Sequence, residues 1–417
     1  MTLKSVEEVQ RSESQDTGSP DGDTVGDILP ALPSANNNKG RRGSVLRRIS
    51  MGTIGLFQPK QATQEEEPLI NLRDVSRARN RVQDYIHQTQ ILSSSNLCSM
   101  LKVKVLFKAE NFQKSGSYKI RGVLNHIIYQ REQRLQKRVK ARRSSLPQTF
   151  AVMTSGAGEF AEAAACAANM AGVNCISVVA KSTCRASLEI LHHYKSRVLV
   201  HTTDNPESVR DRAEKEAEET GYKMILPYEP TVIAGYGTLA SEFMKQTNNT
   251  LEAVLVLAGD GTLAAATAIT IKEIDDTTDV YLVTQSGDPV SVALATGAWP
   301  DECTERAEES VASALNLTVH PSTRPAILKH CEKTTITVDN NGITDAMRFV
   351  FERLKIVVDE NAAACVAALF TEHFMHICDS HDYRRVGVML TGGNCNLLTL
   401  PFVLPSKSHD STRCRNK

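Results

Sequence analysis

Lys119, in the run Ser115-Gly116-Ser117-Tyr118-Lys119-Ile120-Arg121-Gly122, is the residue of this chain best placed for covalent chemistry. It stands beside an aromatic side chain and opens a helical pattern just after the strand-like stretch Val103–Lys108. A lysine amine presented in this way can condense with a carbonyl to form a Schiff base. A second constellation is Val254-Leu255-Val256-Leu257-Ala258-Gly259-Asp260-Gly261-Thr262-Leu263-Ala264. Strand, glycine-bearing turn and helix start follow one another there, which aims backbone N–H groups and the positive end of a helix dipole at an anion. Asp260 sits inside that cradle with the wrong charge. A carboxylate ~5 Å from a phosphate dianion costs on the order of several kcal/mol at an effective dielectric near 20. Asp260 must therefore point away, stay protonated or weaken the site. A third segment, Val388-Met389-Leu390-Thr391-Gly392-Gly393-Asn394, ends a strand on a hydroxyl followed by a glycine pair.

These groups need a scaffold, and the remaining pattern supplies one. Short β-branched runs mark strands at Val103–Lys108, Phe150–Thr154, Cys175–Ala180, Val198–His201, Met224–Leu226, Val254–Ala258, Val280–Thr284 and Val386–Thr391. Helical spacing occupies Glu159–Met170, Pro206–Glu219, Tyr236–Met244 and Ala346–Leu354, and Asp74 reads as the N-cap of a helix running to Val82. Strands alternating with helices predict parallel sheets in an α/β fold. The folded part begins near Pro68; residues 1–67 read as a disordered tail and 406–417 as a short polar one. The basic segment Arg131–Ser145 reads as a solvated helix end followed by a loop.

Preceded by Lys108-Ala109-Glu110-Asn111-Phe112-Gln113, the Lys119 run closely resembles the cofactor-lysine motif of the serine/threonine dehydratase family. That family belongs to the fold type II pyridoxal-phosphate (PLP) enzymes and includes serine racemases. Pro227-Tyr228 with Ile233-Ala234-Gly235-Tyr236-Gly237-Thr238 is similar to its Pro-Tyr…Ile-x-Gly-Gln-Gly-Thr segment, with Tyr236 in place of Gln. Thr391-Gly392-Gly393-Asn394 is similar to its Ser-Gly-Gly-Asn. The resemblance covers nearly all of residues 70 to 405. It implies PLP held by Lys119, Tyr118 packed on its ring, Gly259, Asp260, Gly261 and Thr262 around its phosphate, and the Thr391 hydroxyl at its pyridine nitrogen. It also implies a tryptophan-synthase-β-like architecture, two open parallel-sheet domains with the cofactor in the cleft. The larger domain would comprise 68–147 and 227–405, and the smaller, 148–226, would be inserted in it.

Ser155, in Thr154-Ser155-Gly156-Ala157-Gly158, stands where the resemblance implies an acid/base serine on one face of the cofactor. Ala157 and Gly158 replace the family's Asn and His, which removes a hydrogen bond to the cofactor's phenolic oxygen worth ~1.5–3 kcal/mol. Thr284 replaces the glutamate of cation-binding relatives, so no metal is expected there, and Ser313 departs from an Ala-Asp-Gly run. The activity implied is PLP-dependent β-elimination from L-serine or L-threonine. Lys119 would take the Cα proton, the β-hydroxyl would leave, and a 2-oxo acid and ammonia would result. Ser155 acting from the opposite face would add some serine racemisation.

A second class of function stands beside the first. Asp260, Ala157, Gly158 and Ser313 also suit a catalytically weak or inactive relative acting as a phosphorylation-regulated interaction protein. Ser44 and Ser50 each follow an arginine pair at three and two positions before them, as basophilic kinases require. Ser145, in Arg142-Arg143-Ser144-Ser145-Leu146-Pro147, resembles ligands of phosphoserine-reading adaptors. Retention of the lysine motif favours the enzyme.

The 417 residues, 41% hydrophobic, suffice for a sizeable core, and zero formal charge gives no electrostatic case for nucleic acid or a membrane surface. Ten cysteines without a C-x-x-C pair suit reduced thiols in a cytoplasmic protein. No apolar run approaches the ~18 residues of a membrane span, and no signal-peptide core opens the chain. A small amino acid is the partner expected, with a homodimer implied by the resemblance.

Overall fold

The computed structural model describes residues 68–141, 150–300, 309–395 and 400. The two expected tails and the three candidate phosphorylation sites, Ser44, Ser50 and Ser145, lie outside those residues.

Among the described residues, ten strands form two sheets. They are β1 (Ile91–Leu92), β2 (Lys104–Ala109), β3 (Ala151–Ser155), β4 (Asn174–Val179), β5 (Arg197–Val200), β6 (Lys223–Met224), β7 (Ala253–Leu257), β8 (Asp279–Gln285), β9 (Ile336–Val338) and β10 (Arg385–Leu390). The six-stranded sheet runs β1-β2-β10-β7-β8-β9 and the four-stranded sheet β5-β4-β3-β6. Every pairing is parallel except β1 with β2 at one edge. Helices cover both faces, which is why β7 reads as an unbroken apolar run with every residue buried.

All eight strands expected from the sequence are present, while β1 and β9 are additions. At two and three residues, they are too short to show a periodicity of their own. The first helix, Leu72–Val82, is capped by Asn71 and not by Asp74. The Asn71 side chain accepts from Arg73 N and Asp74 N, and Asp74 reaches back to Asn71 N as the third residue of a capping box. The helix expected from Tyr236 begins at Pro230, whose fixed φ and absent N–H suit a first turn. The pattern over Ala346–Leu354 resolves into a helix, Asn340–Phe349, followed by one π turn, Val350–Leu354. Of the basic segment, helix Lys119–Ala141 carries the first part, and Arg131 uses a guanidinium N–H to bond Ala171 O at 2.8 Å.

Two glycines let the helix that starts at Lys119 lie directly on Pro230–Gln246. A Cβ on Gly122 would lie 2.5 Å from the Tyr236 ring, and one on Gly235 would overlap the Gly122 Cα. The backbones touch there, so no side chain larger than hydrogen is tolerated. Among the described residues no helix is long and apolar enough to cross a membrane.

Candidate active site

Sheet order brings the three motifs together. β10 lies between β2 and β7, with Leu390 in register with Ala109 and Val388 with Leu255. The Lys119 loop after β2, the glycine turn after β7 and the Thr391 segment after β10 therefore emerge at one carboxyl edge. Ligands of open α/β sheets settle in that position. The loop and the Thr391 segment are bonded to each other: Tyr118 N donates to Thr391 O at 3.1 Å and Gly393 N to Gly116 O at 3.0 Å. Tyr118 packs edge-on against Tyr236, with centroids 4.8 Å apart.

A buried ionic network fixes the turn that carries Lys119. Arg121 donates to both Glu110 oxygens at 2.7 Å and to both Glu242 oxygens at 3.2 Å. Lys108 Nζ donates to Glu242 Oε1 at 2.5 Å, and to Thr89 O and Gln246 Oε1 at 2.8 Å. Two cations meet two carboxylates, so the net charge is zero and the donors are satisfied. Removing one member would strand a buried charge, at a cost of ~3–5 kcal/mol.

Lys119 looks into a cavity of about 60 Å3, whose lining includes Glu159, Asp260, Asn361 and Thr391. Its Nζ donates to Glu159 Oε2 at 2.8 Å. Glu159 begins helix Glu159–Met170 directly after the loop that follows β3. Burial alone would push the Lys119 ammonium down, but the Glu159 carboxylate, aided by Asp260, outweighs it and holds the lysine above its ordinary value. Lys119 is therefore a protonated, paired cation at neutral pH.

A second carboxyl group backs Glu159. Asp359 is the N-cap of helix Glu360–Ala367, its Oδ1 accepting from Ala362 N at 2.8 Å. Asp359 Oδ2 and Glu159 Oε1 converge over Gly392, both so close that a Cβ there would collide with each. Among the described residues neither oxygen has another partner. Two buried carboxyl oxygens can face each other only with a proton between them. Burial, then the charge of Glu159, pushes Asp359 well above the usual carboxylate range, which favours its neutral form beside Glu159. Glu162, one helical turn on, is pushed up to about 7 by burial and by Glu159, while its Oε2 accepts from Asn394 Nδ2 at 3.2 Å.

The glycine turn is built as the sequence suggests, except at Asp260. Gly259 and Gly261 adopt φ of +51° and +82°, and Gly261 caps helix Thr262–Ile274 without a side chain. Asp260 does not point away. Its Oδ1 accepts from Thr262 N at 3.0 Å and from the Thr262 hydroxyl at 2.6 Å, so the carboxylate itself occupies the helix N-terminus. Thr391 is 4% exposed, lines the cavity, and its hydroxyl oxygen has no hydrogen-bond partner among the described residues. Ser155 lies half-buried at the end of β3 and is not among the residues lining this cavity. The Thr284 hydroxyl lies within bonding distance of the hydroxyls of Ser291 and Thr335. Glu159 and Asp359 are site residues that sequence reasoning misses. Each carries the ordinary signal of an acid at a helix start, which by itself says nothing of a site.

The residues present fit PLP at its aldehyde, through Lys119, and at its ring nitrogen, through the orphaned hydroxyl of Thr391. The turn at Gly259–Thr262 offers N–H groups to a phosphate once the Asp260 carboxylate has moved. No side chain at Ala157 can reach the phenolic oxygen.

Comparison with known proteins agrees. A family model described as "Pyridoxal-phosphate dependent enzyme" matches residues 82–392. Serine racemase of Dictyostelium discoideum is 30% identical over 342 residues, covering 81% of this chain and 99% of that protein. The crystal structure of a pyridoxal 5'-phosphate-dependent aspartate racemase superposes with a TM-score of 0.71 at 31% identity, covering 80% of this chain and 98% of the other. That of a threonine deaminase from T.th. gives 0.66 at 26%, covering 78% and 99%. With most of its folded length matched and the same parallel-sheet architecture, this chain belongs to the pyridoxal-phosphate dependent enzymes of fold type II.

Proposed function

We propose that the protein uses PLP to eliminate the β-hydroxyl of L-serine or L-threonine, giving a 2-oxo acid and ammonia, with a fraction of the serine racemised. The observation that carries this reading is the convergence of Lys119 and the unpartnered Thr391 hydroxyl on one cavity at the carboxyl edge of the six-stranded sheet. The substrate class rests on similarity to proteins named serine racemase and threonine deaminase. When bound, PLP supplies the electron sink that makes the substrate Cα–H acidic.

The chain's own work is proton handling. Lys119 becomes nucleophilic only when its proton passes to Glu159 Oε2 at 2.8 Å. Asp359, whose carboxyl burial favours in the neutral form, stands beside the other Glu159 oxygen and backs the carboxylate for that transfer. Freed of its proton, the Lys119 amine is the base for the substrate Cα–H. Ser155, at the end of β3, is the second acid/base group and serves the opposite face. Thr391 orients the ring nitrogen with a neutral hydroxyl, which does not force the ring to be protonated.

The test is a titration of the purified protein with PLP, wild type against Lys119→Ala, followed by addition of L-serine or L-threonine. A visible absorption band present only in the wild type, with 2-oxo acid and ammonia released in equal amounts, supports the reading. Asp260 on the phosphate turn and Ala157 in the substrate loop favour a second reading, a relative that keeps the fold without turnover. A Lys119-dependent band with no 2-oxo acid from either substrate would select it.

A further inference from the structure

We propose that Asp260 is an internal anion seated where a cofactor phosphate must go, and that phosphate enters only by displacing it. This rests on the cofactor reading above and adds a residue that sets the affinity. The Asp260 carboxylate accepts from the first free donor of helix Thr262–Ile274, Thr262 N at 3.0 Å, and from the Thr262 hydroxyl at 2.6 Å. Those donors, with the helix dipole behind them, are the ones the turn presents to an anion.

The turn cannot yield in place of the side chain. A Cβ on Gly261 would lie 2.5 Å from Thr323 Oγ1 and 2.7 Å from Val319 Cγ1, so the backbone is wedged against its neighbours. Asp260 O also accepts from His320 N at 3.0 Å, which pins the residue's main chain. Asp260 itself is only half-buried, and its side chain has solvent to turn into. An independent pointer to a ligand lies across the cavity. The Thr391 hydroxyl belongs to a residue only 4% exposed and has no partner among the described residues. The cavity between them, about 60 Å3, is well below the ~300–1,000 Å3 of a small-molecule site. Asp260 and the Lys119–Glu159 pair both line it. A carboxylate and a phosphate dianion cannot share Thr262 N, and at such separation their charges repel strongly.

The test is the affinity of the cofactor-free full chain for PLP and for pyridoxal, which lacks the phosphate. Wild type, Asp260→Asn and Asp260→Gly are compared by calorimetry. Asp260→Asn keeps an oxygen acceptor on Thr262 but drops the charge, and Asp260→Gly vacates the seat. PLP is expected to bind Asp260→Gly at least tenfold tighter than wild type and Asp260→Asn by a smaller factor. Pyridoxal is expected to bind all three within about twofold. Inorganic phosphate should compete with PLP at lower concentration in Asp260→Gly than in wild type. Equal or weaker PLP binding by Asp260→Gly overturns the proposal, as does a parallel gain for pyridoxal. Turnover is read separately. Tighter PLP binding without turnover keeps this inference and sinks the proposed function. Turnover with an affinity indifferent to Asp260 does the reverse, and no PLP binding by any of the three sinks both.

Discussion

Replacing Glu162 with glutamine tests the crowding of carboxyl groups around Lys119. Glu162 is pushed from the ordinary 4.5 up to about 7, first by burial and then by the charge of Glu159. The unfolded chain loses this proton near pH 4.5, while the folded protein keeps it until about pH 7. Between those values the folded state binds more protons, so its stability falls as pH rises and levels off above about 7. At 1.36 kcal/mol per pH unit the full cost of ionising Glu162 in place is roughly 3 kcal/mol, and residual hydration brings it to ~1–3 kcal/mol. Glutamine keeps the acceptor that Asn394 Nδ2 uses at 3.2 Å. Glu162→Gln is therefore expected to match wild type near pH 4.5 and to exceed it by ~1–3 kcal/mol near pH 8. Urea denaturation of the cofactor-free protein at steps from about pH 5 to pH 8 measures the difference directly. A wild-type-minus-variant difference that stays constant across that range would refute the electrostatic account. Glu159→Gln should flatten part of the same pH dependence, because Glu159 is the second cause of the Glu162 shift, while lowering stability overall by leaving Lys119 without its partner.

Three further outcomes follow from the geometry. Lys119→Ala leaves Glu159 beside the Asp359 carboxyl without its cation, and is expected to cost ~2–3 kcal/mol by denaturant titration near pH 8. Thr391→Val replaces a buried, unpartnered hydroxyl with a methyl group, so the cofactor-free protein should be unchanged or ~1 kcal/mol more stable while turnover falls. A loss of stability there would mean that the hydroxyl is already satisfied. Gly261→Ala combines a φ of +82° with a Cβ 2.5 Å from Thr323 Oγ1, and a thermal melt should register ~2–4 kcal/mol of destabilisation.

Some features of the site are legible one segment at a time. The Lys119 run, the glycine turn and the Thr391 segment each join a strand end to a fixed run of residue types, so chain-local chemistry displays them. Asp260 reads as an intruder from its charge alone, but where its carboxylate goes does not. Its neighbour two residues on, Thr262, offers both an N–H and a hydroxyl, and only the turn's φ values bring those donors onto the carboxylate. The start of the first helix is misplaced from sequence because Asn71 and Asp74 are both capping residue types, and their reciprocal bonds decide which is the cap. β1 and β9 escape because so short an edge strand is defined by its partner rather than by its own residues.

By itself the sequence determined the class of fold, the lysine, the glycine turn and the hydroxyl, because each follows from residue types adjacent along the chain. Only the tertiary structure decided the charge state of the lysine. Glu159 and Asp359 come from the starts of two helices far apart in the chain, and nothing local to either implies the other. They meet over Gly392, which follows β10 of the six-stranded sheet and has no side chain to hold them apart, while Glu159 comes from the helix after β3 of the four-stranded sheet. Burial then favours the neutral form of Asp359 and the ion pair of Glu159 with Lys119, because an interior that excludes water cannot leave those charges unanswered.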